Sequence, residues 1–132
     1  ATLTGAQSHA TGRKMGAFLT NNESMEDVIK LYGKQSGDLM HPLPYVPEFH
    51  LLPEFKSEVA DVKNSVKNRN NCASASAGHF IGYHSCGFLD DKSKIWVHID
   101  NASPSHTDKM RATGFGVALF EELAFNSSKW MS

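Results

Sequence analysis

The run Met15-Gly16-Ala17-Phe18-Leu19-Thr20, closed by Asn21-Asn22, constrains the fold most. A short apolar stretch without polar alternation, bounded by turn residues, reads as a buried strand followed by a turn. A helix is predicted next. Ser24 suits an N-cap, Glu26 and Asp27 fall in the first turn, and Met25, Val28, Ile29 and Tyr32 recur at helical spacing until Gly33 and Gly37 end the pattern.

Further along, Pro42, Pro44, Pro47 and Pro53 break up an otherwise apolar stretch, so an ordered loop with at most a short helix is expected there. Val59 to Val62 reads as a short strand, and Lys63 to Asn71 as a polar, exposed segment. Ala73-Ser74-Ala75-Ser76-Ala77-Gly78, leading into His79-Phe80-Ile81-Gly82-Tyr83, reads as a buried helix whose small residues pack closely on neighbouring backbone. Lys94 to Asp100 sets Ile95, Val97 and Ile99 against Trp96, His98 and Asp100, as in a strand covered on both sides. A last helix is expected from Thr113, as N-cap, to Phe125, with Leu119, Phe120, Leu123 and Ala124 buried. Strands alternating with helices predict an α/β fold, a layered sheet covered by helices. Ala1 to Thr4 reads as the end of a buried strand entering a loop at Gly5, so the chain is expected to begin in mid-domain.

The composition of the 132 residues, 40% hydrophobic and 20% charged, is that of an ordinary globular domain. A net charge of -1 without a basic run gives no footprint for nucleic acid or an anionic membrane. No apolar run approaches the roughly 20 residues of a transmembrane helix. Cys72 and Cys86 make no disulfide framework, which fits reduced thiols and a cytoplasmic setting.

Seven histidines raise the question of a metal. His98 and Asp100 share one face of the predicted strand, and His106 follows in the loop. That pair serves as readily to hydrogen-bond backbone at a strand end, and without a recognised ligand spacing the structural role is preferred. His79 and His84 share no helix face, and His41 and His50, among prolines, are expected in solvent. There is no G-x-S-x-G elbow for a serine nucleophile, Ser76 and Ser85 are explained by packing, and Cys72 lacks an ordered base nearby. No catalytic residue is therefore assigned. What remains is a binding surface: ligands of α/β sheets sit beyond the carboxyl ends of strands, here at Thr2-Leu3-Thr4-Gly5 and Asp100-Asn101-Ala102-Ser103.

Ala1 to Asn21 (beginning A-T-L-T-G-A-Q), Gly37 to Pro42, Ala60 to Ser65, Trp96 to Pro104 and Arg111-Ala112-Thr113-Gly114-Phe115-Gly116 occur in an order that resembles the leucyl aminopeptidase family, nearest its animal probable aminopeptidase-like branch. The resemblance implies the C-terminal part of a di-metal aminopeptidase catalytic domain spanning residues 1–132. The family's N-T-D-A-E-G-R signature and its other metal ligands are expected upstream, with none in this segment. It further implies two divalent ions (Zn, Mn or Mg), a bicarbonate base, a peptide substrate, contacts with the rest of the same catalytic domain and a homo-hexamer, with the Ala73 to Tyr83 helix a candidate for subunit contacts. Substrate contacts carry over to Thr2, Leu3 and Gly5 in the first loop and to Ala102 and Ser105 in the second. Asn101 stands where the family commonly has an apolar residue, which bears on side-chain preference. The alternative is a non-catalytic interaction or structural protein derived from the same fold.

Overall fold

The computed structural model describes residues 5–50, 55–66, 68 and 70–131. Its elements run α1 (Ala6–Thr11), β1 (Gly16–Thr20), α2 (Glu23–Ser36), β2 (Met40–Pro42), α3 (Pro47–His50), α4 (Ala73–Tyr83), a 3-10 turn (Phe88–Asp90), β3 (Val97–Asp100), α5 (Val117–Phe125) and α6 (Ser127–Trp130). The strands form one mixed sheet in the order β2-β1-β3. β1 is parallel to β2 and antiparallel to β3.

The central strand explains the layering. All five residues of β1 are buried, and successive side chains point to opposite faces. Phe18 joins Met25, Ile29 and Tyr32 of α2, Met40 of β2 and Leu119 of α5, with Val97 and Ile99 packed against them. On the other face Ala17 and Leu19 pack with Leu43 and with Ala75 of α4, flanked by Tyr45 and Trp96. The apolar run of β1 is thus apolar because both faces are covered, and β3 divides its side chains as its sequence predicts. The small residues of α4 serve contact with the sheet: a Cβ on Gly78 would overlap the Leu19 side chain and come within 3.0 Å of the His98 ring.

Several boundaries differ from the sequence expectation. Asn22, not Ser24, caps α2, its Oδ1 accepting from Met25 N at 3.0 Å, and the helix continues through Gly33 to a left-handed C-cap at Gly37. Asn21 is also more than a turn residue, since its Oδ1 accepts from Trp96 N at 2.8 Å and its Nδ2 donates to Lys94 O at 2.9 Å. β2 falls partly in the proline segment; it lies at the sheet edge, where a residue lacking N–H is tolerated. No strand forms over 59–62. Val59 is 97% exposed there, and two valines without a partner strand cannot hold extended backbone. The helix expected from Thr113 is α5 and starts at Val117, because Gly114 and Gly116 adopt positive φ of 74° and 95°, and a further short helix, α6, follows it. Gly116 has no side chain to cap α5, and Asp38 Oδ2 accepts from Leu119 N at 3.1 Å instead. Leu119 is fully buried and Leu123 packs on the core, but Phe120 and Ala124 are exposed, so the buried stripe is narrower than expected.

Candidate functional site

The described residues begin at Gly5, so the strand expected over Ala1 to Thr4, and with it Thr2 and Leu3, lies outside them. Gly5 is the N-cap of α1 in left-handed backbone, φ 62° and ψ 11°. Its carbonyl accepts from Ser8 N at 3.2 Å and from Ser8 Oγ at 2.8 Å, which closes the first helical turn. A Cβ built on Gly5 would meet nothing within 4 Å, so crowding inside the chain does not demand glycine. Backbone conformation does, and it leaves a bare main-chain surface at the helix start.

The second stretch follows β3. Pairing of Ala17 with Asp100 brings the carboxyl end of β3 beside the start of β1, into which α1 leads. Asp100 Oδ2 accepts from Ser74 Oγ of α4 at 2.6 Å and Oδ1 from Ala102 N at 3.3 Å, so this carboxylate anchors the turn to α4. Ser105 Oγ donates to Ala102 O at 2.7 Å. With the hydroxyl proton so used, His106 Nδ1, 3.2 Å from Ser105 Oγ, must be the donor of that pair. Beyond it a bridge between His106 and Ala112 closes a small hairpin, and Thr113 Oγ1 donates to Pro104 O at 2.6 Å. Arg13 and Asp108 pair across the surface at 2.8 Å.

One side chain joins the two stretches. Gln7, 1% exposed, donates through Nε2 to Met15 O at 2.6 Å and to Thr11 Oγ1, while its Oε1 accepts from Ser103 N at 3.1 Å. Gln7 stands two residues after Gly5, and Ser103 directly follows Ala102. The helix that starts at Gly5 and the turn at Ala102–Ser105 are thereby tied to each other. Sequence reading did not single out Gln7, because its partner lies 96 residues away.

His50, His79 and His98 take packed places in the fold. His98 stacks on Trp96 with ring centroids 6.0 Å apart, and burial pushes its pKa below the usual value although Asp100 pulls it up. His50 is buried rather than solvent-exposed: its ring lies 5.7 Å from that of His79, which in turn lies 4.9 Å from Tyr45. His79 is 1% exposed, and its Nε2 has no hydrogen-bond partner among the described residues. Burial, with His50 and His98 adding and Glu48 opposing, lowers its pKa to about 4. Burial and Glu48 raise the Tyr45 hydroxyl. Among the described residues no group of three or more His, Cys, Asp or Glu side chains is placed to hold a metal ion. None of their described helices is long and apolar enough to cross a membrane.

The model of the cytosol aminopeptidase family, catalytic domain, matches residues 1–120. The chain belongs to the cytosol aminopeptidase family. The human protein named Probable aminopeptidase NPEPL1 is 50% identical over 129 residues, covering 98% of this chain and 24% of the relative. The structure of Caenorhabditis elegans leucine aminopeptidase LAP1 superposes with a TM-score of 0.83 at 42% identity, over 96% of this chain and 25% of that one. Leucyl aminopeptidase from Trypanosoma brucei, solved in complex with bestatin, gives a TM-score of 0.80 at 41% identity, over 92% of this chain and 22% of that one. The chain thus spans about a quarter of the length of these cytosol aminopeptidase relatives, and the mixed sheet with its covering helices is the fold it shares with them.

Proposed function

We propose that residues 1–132 are the part of a metal-dependent aminopeptidase catalytic domain that walls the substrate pocket, in a protein removing N-terminal amino acids from peptides. The observation that carries this reading is the Gln7 amide, which ties the Gly5 turn to the Ala102–Ser105 turn. A family whose members are named aminopeptidases supports the activity.

In this reading the main chain at Thr2, Leu3 and Gly5 holds the peptide unit of the substrate, while Ala102 and Ser105 border its N-terminal side chain. Gly5 contributes by lacking a side chain, since its bare surface lets a ligand approach backbone closely. Ser105 points its hydroxyl proton at Ala102 O and so stiffens the turn on which both residues sit. Two divalent ions, drawn from zinc, manganese or magnesium, and a bicarbonate base belong to the same reading, with their ligands outside this segment. A cytoplasmic location and a homo-hexamer complete it, with the exposed Ile81 and Tyr83 of α4 available for subunit contact.

The test is hydrolysis of aminoacyl amides by the full-length protein supplied with divalent metal, compared with its Gly5→Val variant. Hydrolysis inhibited by bestatin is expected in the parent. Gly5→Val should retain normal metal content and lose most activity, because a β-branched side chain at positive φ both strains the turn and fills the approach. An inactive parent protein would favour the non-catalytic alternative. An unimpaired Gly5→Val enzyme would remove this turn from the site.

A further inference from the structure

We propose that Gln7 is a positioning residue that sets the width of the pocket between Gly5 and Ala102, and thereby the discrimination among N-terminal side chains; this rests on the reading above. Gln7 touches no reacting atom. It acts through the two turns it joins.

The chemistry at position 7 demands an amide. Met15 O accepts from the Gln7 amide as well as from Thr11 Oγ1, whereas Ser103 N–H has the Gln7 carbonyl as its acceptor. A carboxylate satisfies only the second and an ammonium only the first. A primary amide supplies both from one planar group, and asparagine, one methylene shorter, would not span the same gap. Gln7 is only 1% exposed, so bulk solvent does not readily replace a bond lost there. The supports behind Gln7 are firm as well: Thr11 Oγ1 donates to Met15 O at 3.0 Å, and Asp100 ties the Ala102 turn to Ser74 of α4. Within this frame the Gln7–Ser103 bond is the contact that locks one turn to the other.

Gln7→Glu gives the sharpest test. Ionised, a glutamate still accepts from Ser103 N–H and can accept from the Thr11 hydroxyl, but it turns an oxygen toward the carbonyls of Met15 and Gly12, which is repulsive. Protonated, it can donate to Met15 O and accept from Ser103, restoring the native pattern. Burial raises a carboxyl pKa, so the restored state becomes reachable on mild acidification.

The experiment compares the full-length protein with its Gln7→Glu and Gln7→Met variants on a leucyl and an alanyl amide substrate, reading the ratio of the two kcat/KM values across pH. A variant that merely folds poorly lowers both values by the same active fraction and leaves their ratio unchanged. For a residue that positions the pocket wall, the ratio should shift by about tenfold in Gln7→Met at every pH. In Gln7→Glu it should shift near pH 8 and return toward the parent value near pH 5.5. A ratio equal to the parent's in both variants at all pH values overturns the inference while leaving the aminopeptidase reading intact. Absence of hydrolysis in the parent overturns that reading itself, and this inference with it.

Discussion

His79 should make α4 the acid-sensitive part of this fold. Its pKa lies at about 4 in the folded protein against an ordinary 6.5, chiefly because the imidazole is buried, with the neighbouring His50 and His98 adding and Glu48 opposing. A base whose folded pKa is depressed binds its proton better in the unfolded state. Its contribution to stability is therefore complete above 6.5 and is lost as pH falls from 6.5 toward 4. At pH 5 the unfolded imidazole is charged and the folded one is not, so about 1.5 pH units at 1.36 kcal/mol each give a loss of about 2 kcal/mol. His79→Leu replaces the ring by a side chain of comparable bulk that does not titrate and leaves no unpartnered Nε2. Hydrogen exchange of the α4 amides, corrected for intrinsic rates and read at pH 7.5 and 5 in the full-length protein, measures the relevant local opening. Protection should fall about 30-fold further in the parent than in His79→Leu. The downward-shifted His98 is present in both proteins, so the comparison isolates the acid sensitivity that depends on the His79 ring, its coupling to His50 and His98 included. Equal pH dependence of the two proteins would refute the reasoning.

Two further changes probe the frame that holds the site. Gly78→Ala places a Cβ on the Leu19 side chain, and overpacking of about 1–3 kcal/mol should outweigh the gain of ~1 kcal/mol in helix propensity, lowering the melting temperature. Asp38→Ala removes the acceptor for Leu119 N and should destabilise α5 by about 1 kcal/mol, seen as faster exchange of its first amides, while Asp38→Asn retains an acceptor and most of the protection.

What the sequence revealed was what its local pattern decides. β1 was legible because an apolar run admits few alternatives, α2 because its apolar residues repeat at helical spacing, and α4 because a stretch of small residues has an evident packing use. α1 was hidden: Ala-Gln-Ser-His-Ala-Thr carries no apolar period, and tertiary bonds through Gln7 hold it in place. β2 comprises three residues ending in proline, and its strand character comes from pairing with β1. The start of α5 has no local signal, because its cap comes from Asp38, 81 residues from the Leu119 amide it serves. His50 was expected in water for the same kind of reason, since only the fold brings His79 against it. At the candidate site, the expected strand ends pointed to the stretches holding Gly5 and Ala102 and family likeness added Ser105, whereas Gln7 and Ser74, which hold their turns, depend on pairings that no spacing along the chain displays.

The most direct measurement of the central claim is a crystal structure of the full-length protein with a non-hydrolysable dipeptide analogue. The account predicts main-chain contacts from the analogue to the turn at Gly5, its N-terminal side chain against Ala102 and Ser105, and the Gln7–Ser103 hydrogen bond intact between the two turns. An analogue bound in a pocket bordered by neither turn would contradict it.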